Sequence, residues 1–399
     1  MAPRISDTLD GGAITVVATE PAVVLRLKRE KCQEACGTFQ QWFHFCASNL
    51  APGTPVEYCI EDAGQSTYPD WDGYNVCMSY DLEDWHRVDS SFADGKLRWT
   101  HTPTCSMAFY AYFPPYSRDR QLRMIGKWQQ NPRCLVEVLG QTLDGRDLHM
   151  LRIGSPPAPV APRAATGKKT LWVHARQHPG ETAASWWVDG FVGRLLDGED
   201  GVARELLKRA DVFVIPNANP DGGVRGHLRT NAAGANLNRE WAEPALDRSP
   251  EVFLMRQAME TLGSLDIMMD IHQDEEKPYT FISRTPLGVP RCTPALRAAH
   301  ARFRAAYTRA CPDFETPGPV EPVGYPEPAA GKANLAICSA WVAERFGGLS
   351  LTVEMPYKGN PNAGEAEGRG WTTRQCAELG RGALNAMLDH LVGDAGLAP

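Results

Sequence analysis

Two regimes of hydrophobic spacing divide the chain. Up to about residue 125 the apolar residues come in short runs. Ala13–Lys28 alternates and is rich in valine, and Trp42-Phe43-His44-Phe45-Cys46, Tyr74–Tyr80 and Ala108–Phe113 are brief aromatic or β-branched stretches. Pro52-Gly53, Asp72-Gly73 and Asp94-Gly95 punctuate them. Short strands with turns at regular intervals predict an all-β sandwich over residues 1–125. Asp81, Asp84 and Trp85 read as a solvated turn before a buried Trp, in preference to a sugar or peptide contact. Leu122–Asn131 predicts a short helix or linker leading onward.

From Cys134 the pattern changes. Leu135–Gly140 and Asp147–Ile153 flank Asp144-Gly145 and predict a hairpin, and the Pro/Ala-rich Ser155–Gly167 predicts a surface loop. Strands then alternate with helices. The strands are Thr170–Val173, Asp211–Pro216, Asp266–Ile271 and Leu349–Val353. The helices are Thr182–Leu196, Ala203–Arg209, Pro250–Leu262, Pro294–Ala310, Ala333–Phe346 and Thr373–Val392. This alternation predicts an α/β domain over residues 126–399, with a mixed, largely parallel sheet flanked by helices. In such sheets ligands bind beyond the carboxyl ends of the strands.

Composition narrows the function classes. The chain has 399 residues, 22% charged and 43% hydrophobic, as in ordinary globular proteins of two to three domains. A net charge of -7 without a long basic run disfavours a nucleic-acid partner. No run reaches the length of a membrane span. The N-terminus lacks the apolar core of a secretory signal, so a cytoplasmic location is expected. The 11 cysteines are odd in number and scattered, which fits reduced thiols. Cys32, Cys36 and Cys46 match no closed zinc pattern. Nothing in the pattern sets an oligomeric state.

Four predicted strand ends carry candidate chemistry. The first is His178-Pro179-Gly180-Glu181. An imidazole and a carboxylate on one tight turn can fold onto a single cation, and that pairing suits Zn²⁺; two solvated polar residues on a turn are the plain alternative. The strand ending Asp270-Ile271-His272 offers His272 as a third ligand. Glu354 ends another apolar strand, where a carboxylate is costly unless it has a partner or a task. Beside a zinc site it is placed to act as a general base. The stretch from Asn217 to Trp241 adds Arg229, Asn238 and Arg239. One guanidinium can stabilise a developing oxyanion, and another, beside Asn238, can clamp a substrate carboxylate.

These residues, in this order, resemble the M14 zinc carboxypeptidases: His178-Pro179-Gly180-Glu181, Asn219-Pro220-Asp221-Gly222, Gly234–Arg239, Asp270-Ile271-His272 and Thr352-Val353-Glu354. They look most like the cytosolic carboxypeptidase branch. That branch carries a β-sandwich ahead of its catalytic domain, with segments similar to Tyr80-Asp81, Trp85 and Phe109–Ser117. The resemblance implies one Zn²⁺ per chain on His178, Glu181 and His272, with Glu354 as catalytic base. Arg229 matches the arginine that polarises the scissile carbonyl, and Asn238 and Arg239 match the pair that holds the C-terminal carboxylate. The implied substrate is the C-terminal tail of a peptide or protein.

There are departures from the family pattern. Gln273 follows the zinc histidine where relatives often have Gly or Ser. A gap-free count from Glu354 to the family's capping tyrosine falls on Lys332, which leaves Tyr325 as the nearest candidate. Relatives that trim glutamate chains place a basic residue in the specificity pocket. The matching stretch here, Ala336–Trp341, has none, so Lys332, Arg345 and Arg284 are the cations to consider. Removal of C-terminal glutamate is an expectation from the branch alone. The alternatives are a zinc amidase or deacylase on the same scaffold and an inactive peptide-binding homologue.

Overall fold

The computed structural model describes residues 2–33, 37–154, 167–314, 323–359 and 370–395. Most of the predicted Ser155–Gly167 loop lies outside them, as does Cys36.

The N-terminal region is the expected sandwich. One five-stranded sheet has the order Arg4–Ser6, His44–Ser48, Met107–Ala111, Val76–Ser79, Trp85–Val88. The other runs Ser90–Ala93, Lys96–His101, Val56–Ile60, Val23–Arg26, Thr15–Ala18. Alternation along each strand turns aromatic rings inward from both sheets. Tyr58 of one sheet meets Tyr110 of the other at 4.8 Å and Phe45 at 6.4 Å between ring centroids. The Asp81 stretch is the expected turn, its carboxylate accepting from the Glu83 and Asp84 amides, but Trp85 after it is half-buried and not buried. A separate two-stranded pair, Glu30–Lys31 with Thr38–Phe39, leaves the sandwich and reaches the C-terminal α/β region.

The C-terminal α/β region is a seven-stranded mixed sheet. Its order is Cys134–Gln141, Asp147–Ile153, Ala210–Ile215, Lys169–Ala175, Ile267–Asp274, Leu349–Pro356, Phe281–Ile282. The four strands from Ala210–Ile215 to Leu349–Pro356 are parallel, and the remaining pairings are antiparallel. From Lys169–Ala175 the chain goes first to one neighbouring strand and then to the other. The sheet therefore has its switch point beside that strand, where α/β sheets bind ligands.

Register decides which side chains meet. Trp172 and His174 point to the same face as Met268, Asp270 and His272, because residues two apart share a face. His174 pairs with Asp270, Asp270 with Thr352, and His272 with Glu354. The opposite face, with Leu171, Val173, Met269, Ile271, Leu351 and Val353, joins the main core. Helices Ala183–Leu195 and Thr373–Ala395 pack closely there.

The structure departs from the predicted elements in several places; the expected Leu122–Asn131 helix or linker is a helix over Arg118–Trp128, which Ser117 caps. The Ile267–Asp274 and Leu349–Pro356 strands run three residues past their predicted ends, so His272 and Glu354 lie within strands and not at their tips. The last predicted connecting helix starts at Cys338, not Ala333. Asn238 Oδ1 accepts the Cys338 amide at 2.8 Å, so a distant side chain sets that helix start.

Candidate active site

The turn after Lys169–Ala175 is built around a buried arginine. Arg176 has φ +62°, a left-handed backbone that a non-glycine residue holds only when its surroundings enforce it. Its Nε donates to Pro179 O and its Nη1 to Tyr116 O, both at 3.0 Å. Gly180 serves a different need. A Cβ there would stand 2.8 Å from Leu228 Cα, so glycine permits the turn and the arginine loop to touch. The Gly180 amide donates to Leu228 O at 2.8 Å.

This turn brings Glu181 between two imidazoles. Its Oε1 is 2.6 Å from His178 Nδ1, and its Oε2 is 2.7 Å from His272 Nδ1. Oε2 also accepts the Gln273 amide at 3.1 Å. All three side chains are buried, and their ligand atoms lie within 4.8 Å of one another. His178 Nε2 is 3.0 Å from Asn236 Oδ1, and an amide oxygen only accepts. The ring proton therefore sits on Nε2 and leaves the Nδ1 lone pair facing Glu181. His272 Nε2 lies 2.9 Å from Asp270 Oδ1 and 3.4 Å from Asn238 Nδ2.

Electrostatics favours the ligand forms of His178 and Glu181, whereas it favours the protonated form of His272, whose extra proton a metal would have to displace. Burial and the nearby Arg229 push the His178 imidazole down to about 4. Burial alone would raise the Glu181 carboxyl, but the two imidazoles hold it at about 2. Burial alone would lower His272, but the carboxylates of Asp270 and Glu181 raise it well above its usual range. Two imidazoles and an ionised carboxylate could hold a metal ion and match the three-ligand donor set of a catalytic zinc, which keeps a further position open.

A second cluster, His174, Asp270 and Cys338, is equally tight. Trp172 Nε1 donates to His174 Nδ1 at 3.1 Å, so the His174 proton is on Nε2, 3.0 Å from Asp270 Oδ1. No ring lone pair is left for a metal. The cluster instead holds Asp270, whose other oxygen accepts from Gln177 Nε2 at 2.7 Å.

The remaining sequence-predicted residues meet at one cavity of about 380 Å³. Arg229, Asn238, Arg239 and Glu354 line it together with His178, Glu181 and His272. Burial raises the Glu354 carboxyl well above its usual range, with the carboxylates of Glu181, Asp274 and Glu275 adding to the effect. Tyr325 also lines the cavity; its hydroxyl donates to Asp274 Oδ2 at 2.5 Å and lies 3.4 Å from Glu354 Oε1. Lys332 and Arg345 are not among the lining residues, and Arg345 pairs with Glu260. Gln273 is accounted for. Its side chain accepts the Ala183 amide at 3.2 Å and donates to Pro356 O at 3.2 Å, so it ties a helix start to the sheet.

Sequence reasoning passed over several supporting residues. Asn236 and Asp270 stood inside quoted motifs without a role. Tyr68 of the sandwich lines the cavity, and Glu30 accepts from the Arg229 backbone; no local signal marked either.

The fold and this site define a zinc-dependent peptide hydrolase that works at chain ends. The description "Cytosolic carboxypeptidase N-terminal domain" fits residues 5–113, and "Zinc carboxypeptidase" fits residues 124–276. A metallo-carboxypeptidase from Burkholderia cenocepacia is 38% identical, with a TM-score of 0.89 over 98% of this chain and 100% of that one. A metallo-carboxypeptidase from Pseudomonas aeruginosa, solved with (2-guanidinoethylmercapto)succinic acid, is 36% identical, with a TM-score of 0.87 over 97% of this chain and 100% of that one. Cytosolic carboxypeptidase 2 of Danio rerio is 29% identical over 61% of this chain, which spans only 37% of that longer protein. The chain belongs to the M14 zinc carboxypeptidases, in the cytosolic carboxypeptidase-like branch, and is a zinc metallocarboxypeptidase.

Proposed function

We propose that this enzyme removes single C-terminal residues from peptides or protein tails, with His178, Glu181 and His272 as the zinc ligands and Glu354 as the general base. The observation that carries the reading is the convergence of those four side chains on one cavity with Arg229, Asn238 and Arg239. His178, Glu181 and His272 would hold the zinc, which when bound would make water more acidic and act as a Lewis acid toward the scissile carbonyl. Glu354 takes the proton of the attacking water and passes it to the leaving amine. Arg229 stabilises the oxyanion. Asn238 and Arg239 receive the C-terminal carboxylate through their N–H donors; the Asn238 oxygen is engaged by Cys338, and its amide nitrogen lies 3.4 Å from His272 Nε2. Tyr325 caps the bound substrate.

Glutamate is the C-terminal residue we propose for release, on kinship with the cytosolic carboxypeptidases. Arg284 is the cation closest to this task, since its neighbours Ser283 and Thr285 both line the cavity. We also propose a cytoplasmic location, supported by that kinship and by ten free cysteines among the described residues. No described helix is long and apolar enough to cross a membrane. The division into domains 1–125 and 126–399 is likewise our proposal, and limited proteolysis with mass spectrometry tests it.

The functional test is hydrolysis of blocked peptides with varied C-terminal residues, using wild type, Glu354→Gln and Arg239→Ala, each assayed for zinc. Glu354→Gln is expected to keep zinc and lose at least about 100-fold in turnover. Arg239→Ala is expected to lose discrimination between a free C-terminal carboxylate and its amide. Zinc-loaded wild type that cuts only amidated or acylated substrates would replace this reading with an amidase or deacylase. Binding without any turnover would replace it with peptide capture. Slower release of glutamate than of an apolar residue would remove the glutamate preference alone.

A further inference from the structure

The Glu30–Lys31/Thr38–Phe39 hairpin belongs to the sandwich, yet it lies against the loop that carries Arg229. Glu30 is buried, and its carboxylate receives three consecutive backbone amides. Oε1 accepts from Arg229 at 2.8 Å and Thr230 at 3.0 Å, and Oε2 accepts from Leu228. Around this contact, Thr230 Oγ1 donates to Lys31 O at 3.0 Å, and the Gln33 amide donates to Gly234 O at 2.8 Å. Phe39 places its ring 5.6 Å from the Arg229 guanidinium carbon. The hairpin thus fixes both ends of one residue: the backbone by a carboxylate and the cation by an aromatic face.

We propose that Glu30, assisted by Phe39, is the positioning residue that holds Arg229 for the reaction, so that the sandwich domain completes the active site. This rests on the reading of Arg229 as the oxyanion-stabilising group. Adhesion between the domains does not require such an arrangement, because an apolar pair would bury the same contact without desolvating a carboxylate. Burial pushes the Glu30 carboxyl up to about 7 even with three donors on it. A group kept in so unfavourable a place is better explained by geometry at the cavity than by glue. Arg229 must meet an oxyanion that exists only transiently, and a displacement of about 1 Å there can cost on the order of 100-fold in rate. Tyr68, also from the sandwich, lines the same cavity.

The test is a double-mutant cycle on the full-length, zinc-loaded enzyme with a blocked peptide substrate. The variants are Glu30→Gln, Arg229→Ala and the double variant, each checked for zinc content and thermal unfolding. Glu30→Gln keeps size and one accepting oxygen but loses charge and the second acceptor. It is expected to lower kcat about 10- to 100-fold with KM nearly unchanged, and to cost nothing further when Arg229 is already Ala. Phe39→Leu, which preserves the apolar packing, is expected to lower kcat by about 3- to 10-fold with the same non-additivity, and it carries the test if Glu30→Gln does not fold. A normal kcat in both single variants, or losses that multiply in full with Arg229→Ala, overturns the proposal while the Arg229 reading stands. A fully active Arg229→Ala overturns both.

Discussion

Asp270 Oδ1 stands 2.9 Å from Nε2 of His272, the ring nitrogen opposite the one that faces Glu181. With a metal on Nδ1 the ring proton would sit on Nε2, and a carboxylate at this distance is placed to receive it and to strengthen Nδ1 as a donor. Asp270 is itself held by His174 and Gln177, and Gln177 by Trp241 Nε1 at 2.7 Å. Asp270→Ala is therefore expected to weaken zinc binding about 10- to 100-fold, read by competition with a chromophoric chelator. His272 would remain in place, so the loss should appear as metal affinity and not as unfolding of the apoprotein. Unchanged affinity would show that the carboxylate is only a buried structural group.

Tyr325 could not be located by counting back from Glu354, because the loop between them has its own length here. Its hydroxyl nevertheless reaches the Asp274 carboxylate and the neighbourhood of Glu354. Tyr325→Phe removes one hydrogen bond to the bound substrate and leaves the ring, which packs edge-on to Phe281 at 5.0 Å. One such bond is worth about 1.4 kcal/mol, so kcat/KM should fall about tenfold, and the melting temperature should fall by a few degrees because Asp274 Oδ2 loses its donor. Wild-type kinetics in this variant would remove Tyr325 from the substrate cap.

What the sequence made legible follows from how local each feature is. His178 and Glu181 share one turn, and His272 and Glu354 sit on strands whose apolar character is plain in the residues. Parallel pairing then brings the two strands together in register. The Pro250–Leu262 and Pro294–Ala310 helices keep their predicted bounds because proline marks each start, and Thr293 caps the second. The start at Cys338 was hidden because Asn238, 100 residues earlier, supplies the cap. Glu30 was hidden for the same reason at greater range: its partners lie about 200 residues away, and a glutamate in a short hairpin looks like any solvated residue.

The closest helix contact supplies a stability test. Ala183–Leu195 and Thr373–Ala395 cross with glycine on both sides. A Cβ on Gly190 would lie 1.9 Å from Ala377 O, and one on Gly380 would lie 2.1 Å from Trp187 O. Both obstacles are backbone, which cannot turn aside. On an exposed helix, Gly→Ala would stabilise by about 1 kcal/mol; here the clash reverses the sign. Gly190→Ala is expected to destabilise by about 3 kcal/mol or more. Gly193→Ala on the same helix meets nothing within 4 Å and is expected to gain about 0.5–1 kcal/mol. Denaturant unfolding of the pair separates close packing from helix propensity, and equal effects would contradict it.

Glu251 gives the pH dependence of stability. It is fully buried at the start of the Pro250–Leu262 helix, with Oε2 accepting from Asn231 Nδ2 at 3.1 Å and Oε1 without a partner among the described residues. Burial raises its carboxyl to about 7 from 4.5, and the carboxylates of Asp221 and Asp144 add to the rise. A raised carboxyl binds its proton more tightly in the folded state than in the unfolded one. Its contribution is therefore fully present below about pH 4.5 and is lost as pH climbs to about 7, the reverse of a salt-bridged carboxylate. The shift corresponds to about 3 kcal/mol. Glu251→Gln keeps the shape and the Asn231 bond but cannot ionise. Its stability relative to wild type should rise between pH 5 and pH 8 by up to about 3 kcal/mol, measured by urea unfolding at the two pH values. A difference that does not change with pH would mean that Glu251 titrates alike in the folded and unfolded chains.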